Sequence, residues 1–373
     1  MHRFVFFVIT FAIITLEICV HMKEYKSITN QINYLKNDKK IVVDDGDQNV
    51  FIERNYISLV NPYKVLFASG TTQINNELKH IYEDETNLKE LIKIAKIDDS
   101  FSCLLHKWIG YFERKLKSVL FYELASLYAE NENNDSKDAY CINYANDIKV
   151  FIDSNYSQEK LPIFCKQYFE MNTSHGYVHV DYIEGNVYLQ QRENVLKHIY
   201  EVGTGNYIYT DGENTKTAKL TRHFIDKGEI VPLWVIPTCL TFGELQTVFN
   251  IAPREVQQMV YCSFIPKEGK TYEDVSSKEL LKFSGYLETI RNARNVINHY
   301  EPVLPYVSSV IGDKAKTSKS SQFMKTIDLL KSVHDNSIIE RYSEKPTYKK
   351  SDYNKLERKS LEYMIYILNQ NKQ

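Results

Sequence analysis

The sequence predicts a mainly α fold. Apolar residues recur at helical spacing in several long segments, and glycine and proline are sparse, 13 and 9 in 373 residues. The composition, 43% apolar and 25% charged, is that of a globular chain and excludes bulk disorder. A net charge of −2 excludes a uniformly basic nucleic-acid coat and leaves room for a local basic patch.

Taken in order, residues Phe4 to Leu16 form an apolar run behind His2 and Arg3. At about 13 residues it is shorter than the roughly 20 that a spanning helix needs, but it fits a signal-peptide core. No small-x-small cleavage site follows, and Met22 opens a stretch that reads as the start of a helical protein. Three readings stand for residues 1–21: a gene start set too early, a signal or anchor, or a core helix. A helix is expected over Lys26 to Lys36, through Ile28, Ile32 and Leu35, with Ser27 as its cap. An Asp-rich loop (Asp44, Asp45, Asp47) and a Tyr-rich stretch follow. Residues 77–96 carry helical periodicity through Leu78, Ile81, Leu88, Leu91, Ile92 and Ala95. The strongest long helix is expected over 101–129, with Leu105, Trp108, Ile109, Phe112, Leu116 and Leu120 on its apolar side.

Residues 130–138 are polar and read as a loop. Residues 140–215 are less regular, with scattered glycines and β-favouring pieces such as YVHV and NVYLQQ. Helical character resumes in LTRHFIDKGE and after Thr241, a cap for the helix through Leu245, Val248 and Phe249. In the PLWV segment Trp234 reads as a core anchor among Val231, Leu233, Val235 and Ile236 rather than as a base-stacking platform. Further helices are expected over 277–300, 319–334 and 355–369, and the end of the chain is basic. The organisation is a leader (1–21), a helical domain (22–335) with an irregular insert (140–215), and a basic helical tail (336–373).

The six cysteines are scattered, without the short spacings of a zinc site, and read as free thiols of a reducing, cytoplasmic compartment. His175 and His179 have i, i+4 spacing, but Gly176 and a β-favouring context argue against a helical metal site. There is no P-loop, dinucleotide fingerprint or G-x-S-x-G motif, so neither a metal nor a cofactor is expected.

The chemistry concentrates in Gly285 to Pro302. On a helical wheel Tyr286, Ile290, Ala293, Ile297 and Tyr300 make one apolar stripe. Arg291, Asn295 and His299 fall at i, i+4 and i+8, flanked by Arg294 and Asn298, and Pro302 is expected to end the helix. Such a face is ordinarily solvated surface. Arginine with a histidine near neutral pKa is nevertheless the minimal kit for RNA cleavage without a metal. The imidazole moves the protons and the guanidinium stabilises the phosphate.

Arg294-Asn295-Val296-Ile297-Asn298-His299 resembles the R-x4–6-H signature of the HEPN superfamily. The wider chain, from Met22 to about Asp335, resembles the Abi-like (AbiD/AbiF type) abortive infection proteins. The resemblance runs through SITNQINYLKNDKKIVVDD, NYISLVNPYKVLF, WIGYFERKLKSVL, RHFIDKGEIVPLWVIPTCLTFGELQTVF and LETIRNARNVINHYEPV. It implies an all-α, HEPN-like helical bundle, RNA as substrate, and a homodimer in which two R-x4–6-H helices make a composite site. It implies Arg294 as the phosphate-stabilising residue, His299 as the acid or base and Asn295 as an orienting partner. Arg291 and Asn298 are added from the wheel as RNA-binding residues. Glu113 matches an acidic position of the family and reads as solvated or salt-bridged rather than catalytic. On a straight helix Arg294 and His299 lie roughly 140° apart, so one chain alone would not focus both on one phosphate.

The expected function is therefore a phage-defence endoribonuclease, with an antitoxin or noncoding RNA as a further partner. Two alternatives stay open. One is a non-cleaving RNA-binding module; the other is a membrane-tethered helical interaction protein, should residues 4–16 be an anchor.

Overall fold

The computed structural model describes residues 26–63, 67–74, 77–82, 86–132, 185–205, 209–211, 214–216, 221–266, 271–306 and 318–337. Helices dominate, accompanied by two small antiparallel hairpins. The described residues divide into two compact units, one made by those up to Ser102 with 300–306, the other by 103–299 and 318–337.

The first unit opens with α1 (Ile28–Asn37), where the Ser27 hydroxyl accepts from the Asn30 N–H as expected. Two single-turn helices follow, α2 (Val50–Glu53) and α3 (Tyr56–Leu59), the latter capped by Asn55. Gly46, at φ +95°, takes the left-handed turn that leads into them. Strands β1 (Ala68–Ile74) and β2 (Glu77–Tyr82) pair antiparallel, from Ala68 opposite Tyr82 to Ile74 opposite Glu77. The long helix α4 (Leu88–Glu132) starts in this unit, after Val42 and Asn87 form an isolated parallel bridge. Leu35, Leu59, Val60, Tyr63, Leu88 and Leu91 are fully buried together.

Asp98, on α4, is only 2% exposed, yet its carboxylate is well satisfied. It accepts from the Tyr63 hydroxyl at 2.7 Å and from the Val303 and Leu304 N–H groups, each at 3.0 Å. The last two are donors at the start of the helical turn 303–306, which a carboxylate caps well.

The second unit contains α4 from Cys103 onward, α5 (Gly185–Thr204), β3 (Tyr209–Asp211), β4 (Asn214–Lys216) and the single turn α6 (Arg222–Ile225). It continues with α7 (Phe242–Ile251), α8 (Arg254–Phe264), α9 (Ser277–Asn298) and α10 (Ser318–Asp335). Helix α9 packs against α7, α8 and α10, and α7 packs against α5. Phe283 of α9 lies at the centre of an aromatic core with Phe249 (5.3 Å between centroids), Phe264 (5.6 Å), Tyr261 (5.7 Å) and Phe112 (6.4 Å). Several polar groups in this core are paired, while the Gln246 and Gln257 Oε1 atoms have no partner among the described residues. Gln257 donates to the Phe249 and Asn250 carbonyls, closing the C-terminal end of α7, and Ser284 donates to the Asn250 side chain.

The fold confirms the mainly α expectation and corrects it in detail. The helix expected over 77–96 begins only at Leu88, and Glu77–Tyr82 is a strand. Leu78 and Ile81 satisfy an i, i+3 pattern, but pairing with the preceding segment, which carries the β-branched Thr71-Thr72, favours the ladder. The part of the 77–96 stretch from Leu88 onward and the helix expected over 101–129 join in the single 45-residue α4. Within the expected irregular insert, NVYLQQ is helical as part of α5. Trp234 is not a core anchor: it is 55% exposed while Val231, Leu233 and Ile236 are buried. Tyr300 leaves the apolar stripe of α9. The helix ends at Asn298, and Tyr300 turns to φ +54° and is 94% exposed.

The leader 1–21, His175, His179, the expected helix 355–369 and all but the start of the basic tail lie outside the described residues. No described helix is long and apolar enough to cross a membrane.

Candidate active site

Helix α9 is fixed at its start by a capping box, in which the Glu279 carboxylate accepts from the Ser276 N–H at 2.9 Å and hydroxyl at 2.8 Å. Leu280, Phe283, Leu287, Ile290, Ala293 and Ile297 then run along its buried side. That leaves the polar residues of its last turns directed away from the core. At the other end His299 is the C-cap, with φ −87° and ψ 6°, and its N–H donates to the Asn295 carbonyl at 3.0 Å. Pro302 follows, where the chain can no longer continue helical.

Arg294 and Arg291 are half-buried, whereas Asn295, Asn298 and His299 are exposed. Arg294 donates through Nε to the Glu113 carboxylate at 3.1 Å, a contact between residues 181 apart in sequence. The other carboxylate oxygen of Glu113 meets the Lys117 ammonium at 3.0 Å. One carboxylate from α4, its side chain 15% exposed, thus engages two cations, with Arg294 30% exposed and Lys117 24% exposed. The bond at Nε sets the plane of the guanidinium, and its two terminal nitrogens have no further partner among the described residues. Asn295, Asn298 and His299 make no side-chain hydrogen bond or ion pair among the described residues.

Arg291 lies on the same helix over the start of α7. A Cβ placed on Gly243 would stand 3.7 Å from the Arg291 Cδ, an ordinary van der Waals distance, so the arginine stem runs close beside this turn. Beside it, Glu244 closes the capping box of α7, accepting from the Thr241 N–H at 2.7 Å and hydroxyl at 2.8 Å. The second oxygen of Glu244 pairs with Nδ1 of His198 on α5 at 2.5 Å. Burial opposes ionisation of Glu244, but the hydrogen bonds from His198 and Thr241 outweigh it and hold the carboxyl below its ordinary range. Burial also raises the Cys239 thiol, against the Thr238 hydroxyl and the charge of Lys117.

The structure therefore brings Arg294 to Glu113 and Lys117, and Arg291 to the Gly243 turn. It does not bring Arg294 and His299 to a common contact. Sequence reasoning left Glu113 solvated or salt-bridged and named no partner; it missed Lys117 although the two stand at the ion-pairing spacing i, i+4. It also missed the His198–Glu244 pair. The T-x-x-E spacing of Thr241 and Glu244 was a signal for that carboxylate, but nothing local to His198 announced its partner. Among the described residues no group of three or more His, Cys, Asp or Glu side chains could hold a metal ion.

No curated protein and no solved structure gives a significant match. The sequence model of the Abi-like protein family matches residues 50–304, well over half of the chain and a span that contains both Glu113 and the Arg294–His299 segment. The chain belongs to the Abi-like protein family.

Proposed function

We propose that this protein acts in abortive infection as a metal-independent, HEPN-type endoribonuclease in the cytoplasm. The observation that supports it best is the pairing of Arg294. Glu113 holds its Nε edge and leaves the two terminal nitrogens as a fork for a phosphodiester, within one turn and a half of an exposed histidine.

The 2′-oxygen of the substrate ribose attacks the adjacent phosphorus. A P–O2′ bond forms, the P–O5′ bond breaks, and the products are a 2′,3′-cyclic phosphate and a 5′-hydroxyl. His299 of one copy takes the 2′-proton as a base, and His299 of a second copy returns a proton to the leaving 5′-oxygen. The Arg294 guanidinium stabilises the charge that builds on the phosphate oxygens. Asn295 orients the substrate, and Arg291 and Asn298 bind flanking RNA. The two-fold homodimer answers the spacing within a single chain, which on an ideal helix sets Arg294 and His299 about 140° apart. An antitoxin or noncoding RNA restrains the activity between infections.

The test is purified protein on mixed RNA in EDTA. Cleavage by the wild type that is lost in both Arg294→Ala and His299→Ala supports the reading; undiminished cleavage by the double variant refutes it. A second reading, an RNA-binding module that holds without cutting, is favoured by one observation. His299 makes no described hydrogen bond that would fix its tautomer. Salt-sensitive RNA binding without cleavage selects that reading.

A further inference from the structure

Helix α4 carries a second feature that the R-x4-H segment does not use. Between Lys107 and Tyr122 the sequence holds four bases (Lys107, Arg114, Lys115, Lys117) and a single acid, Glu113, which is already engaged by Arg294 and Lys117. Lys115 turns inward, donating to the Ser263 carbonyl at 2.6 Å and lying over the Phe264 ring. The remaining outward residues form a line. Lys107, Tyr111, Arg114, Ser118 and Tyr122 fall within an arc of about 80° and span about 22 Å of helix.

Their arrangement is that of a stacking track. The Arg114 guanidinium lies 4.5 Å from the centroid of the Tyr111 ring, and Arg114 is exposed. Tyr111 is in turn fixed edge-on by His334 of α10, with centroids 5.0 Å apart and planes at 83°. A guanidinium laid on a ring keeps its outer face for a base and its edge for a phosphate. Two to three turns further on, Tyr122 is 68% exposed, a large aromatic ring on the same line of the helix.

We propose that this face of α4 binds single-stranded RNA, with the Tyr111–Arg114 pair and Tyr122 as successive stacking platforms and Lys107 as a backbone contact. The proposal rests on the reading of the protein as an RNA-acting one and names which RNA it takes. Unpaired bases can splay onto such platforms, whereas a duplex keeps its base faces stacked and offers only phosphates and sugars. Glu113 and Lys117 stand on the neighbouring strip of the same helix, so a strand held on this face runs beside the carboxylate that grips Arg294.

The experiment uses the full chain carrying His299→Ala, so that binding is read without cutting. The probes are a fluorescein-labelled single-stranded oligoribonucleotide and its duplex, followed by anisotropy across a salt series in EDTA. Arg114→Ala and Tyr122→Ala are each expected to weaken single-strand binding about five-fold or more. Arg114→Ala also lowers the slope of log K against log salt by about 0.7, and Tyr122→Ala leaves it unchanged. Tyr122→Phe, which keeps the ring, restores affinity. Thermal melts identical to the parent show that the variants fold. The proposal is overturned if both alanine variants bind like the parent, or if the duplex binds as tightly as the single strand. The first result, beside wild-type cleavage that needs Arg294 and His299, would remove the track and leave the nuclease reading standing. Loss of binding in the variants beside a wild type that never cuts would keep the track and remove the nuclease.

Discussion

Glu113 separates a residue that positions the site from one that merely stabilises the fold. In Glu113→Gln the shape is retained and one negative charge is lost between Arg294 and Lys117. Exposed ion pairs contribute about 0.2–1 kcal/mol, and breaking a buried one costs about 3–5 kcal/mol. With side chains 15%, 24% and 30% exposed, this triad lies between those limits. A loss of about 1–3 kcal/mol is expected, lowering Tm by about 2–4 °C for each kcal/mol in a unit of this size. RNA binding should move the other way. Removing the carboxylate adds one net positive charge beside the phosphate site, so affinity rises and the salt dependence steepens by roughly 0.7 in log K against log salt. Turnover should fall at the same time, because the guanidinium is no longer held at Nε. The assay pairs a thermal melt with binding and single-turnover cleavage of one oligoribonucleotide. Tighter binding with slower cleavage is the expected pattern. Unchanged binding and cleavage, in a variant destabilised as expected, would refute a positioning role for Glu113.

Further outcomes follow from the same contacts. Asp98→Ala leaves the Tyr63 hydroxyl and the Val303 and Leu304 N–H groups without their buried acceptor, and should cost about 3 kcal/mol or more by urea unfolding. Phe283→Ala removes the ring around which Phe112, Phe249, Tyr261 and Phe264 gather and should cost about 3–5 kcal/mol in the same measurement. For Glu244 the sign follows from its lowered pKa. The carboxylate stabilises the fold above its ordinary value of 4.5, and that contribution is lost as pH falls through the lower folded value. The stability gap between wild type and Glu244→Gln should therefore shrink as pH falls below 4.5, as followed by denaturant midpoints.

Local chemistry made much of this fold legible. The Ser27 and Thr241 caps announced their helices, and the apolar spacing from Tyr286 to Ile297 placed the buried side of α9. What failed were segments decided by distant partners. Leu78 and Ile81 fit a helix until the β1 strand pairs with them. Trp234 looked like core from its apolar neighbours, yet those neighbours fill the interior and leave the indole outside. Tyr300 fitted the helical stripe by spacing, but the helix had already ended at Asn298. The candidate site shows the same division. The helix that carries Arg294 and His299 was readable from one segment, and Glu113 stood out as an acid that is either solvated or salt-bridged. The gripping of Arg294 by Glu113 and the pairing of His198 with Glu244 join distant parts of the chain.

The proposed nuclease is tested most directly by sequencing RNA ends in cells after the protein is induced, with His299→Ala expressed to the same level. The account predicts new 5′-hydroxyl and 2′,3′-cyclic phosphate ends in the wild type and none in the variant. The same ends appearing in both strains, or in neither while the wild type still arrests growth, would contradict it.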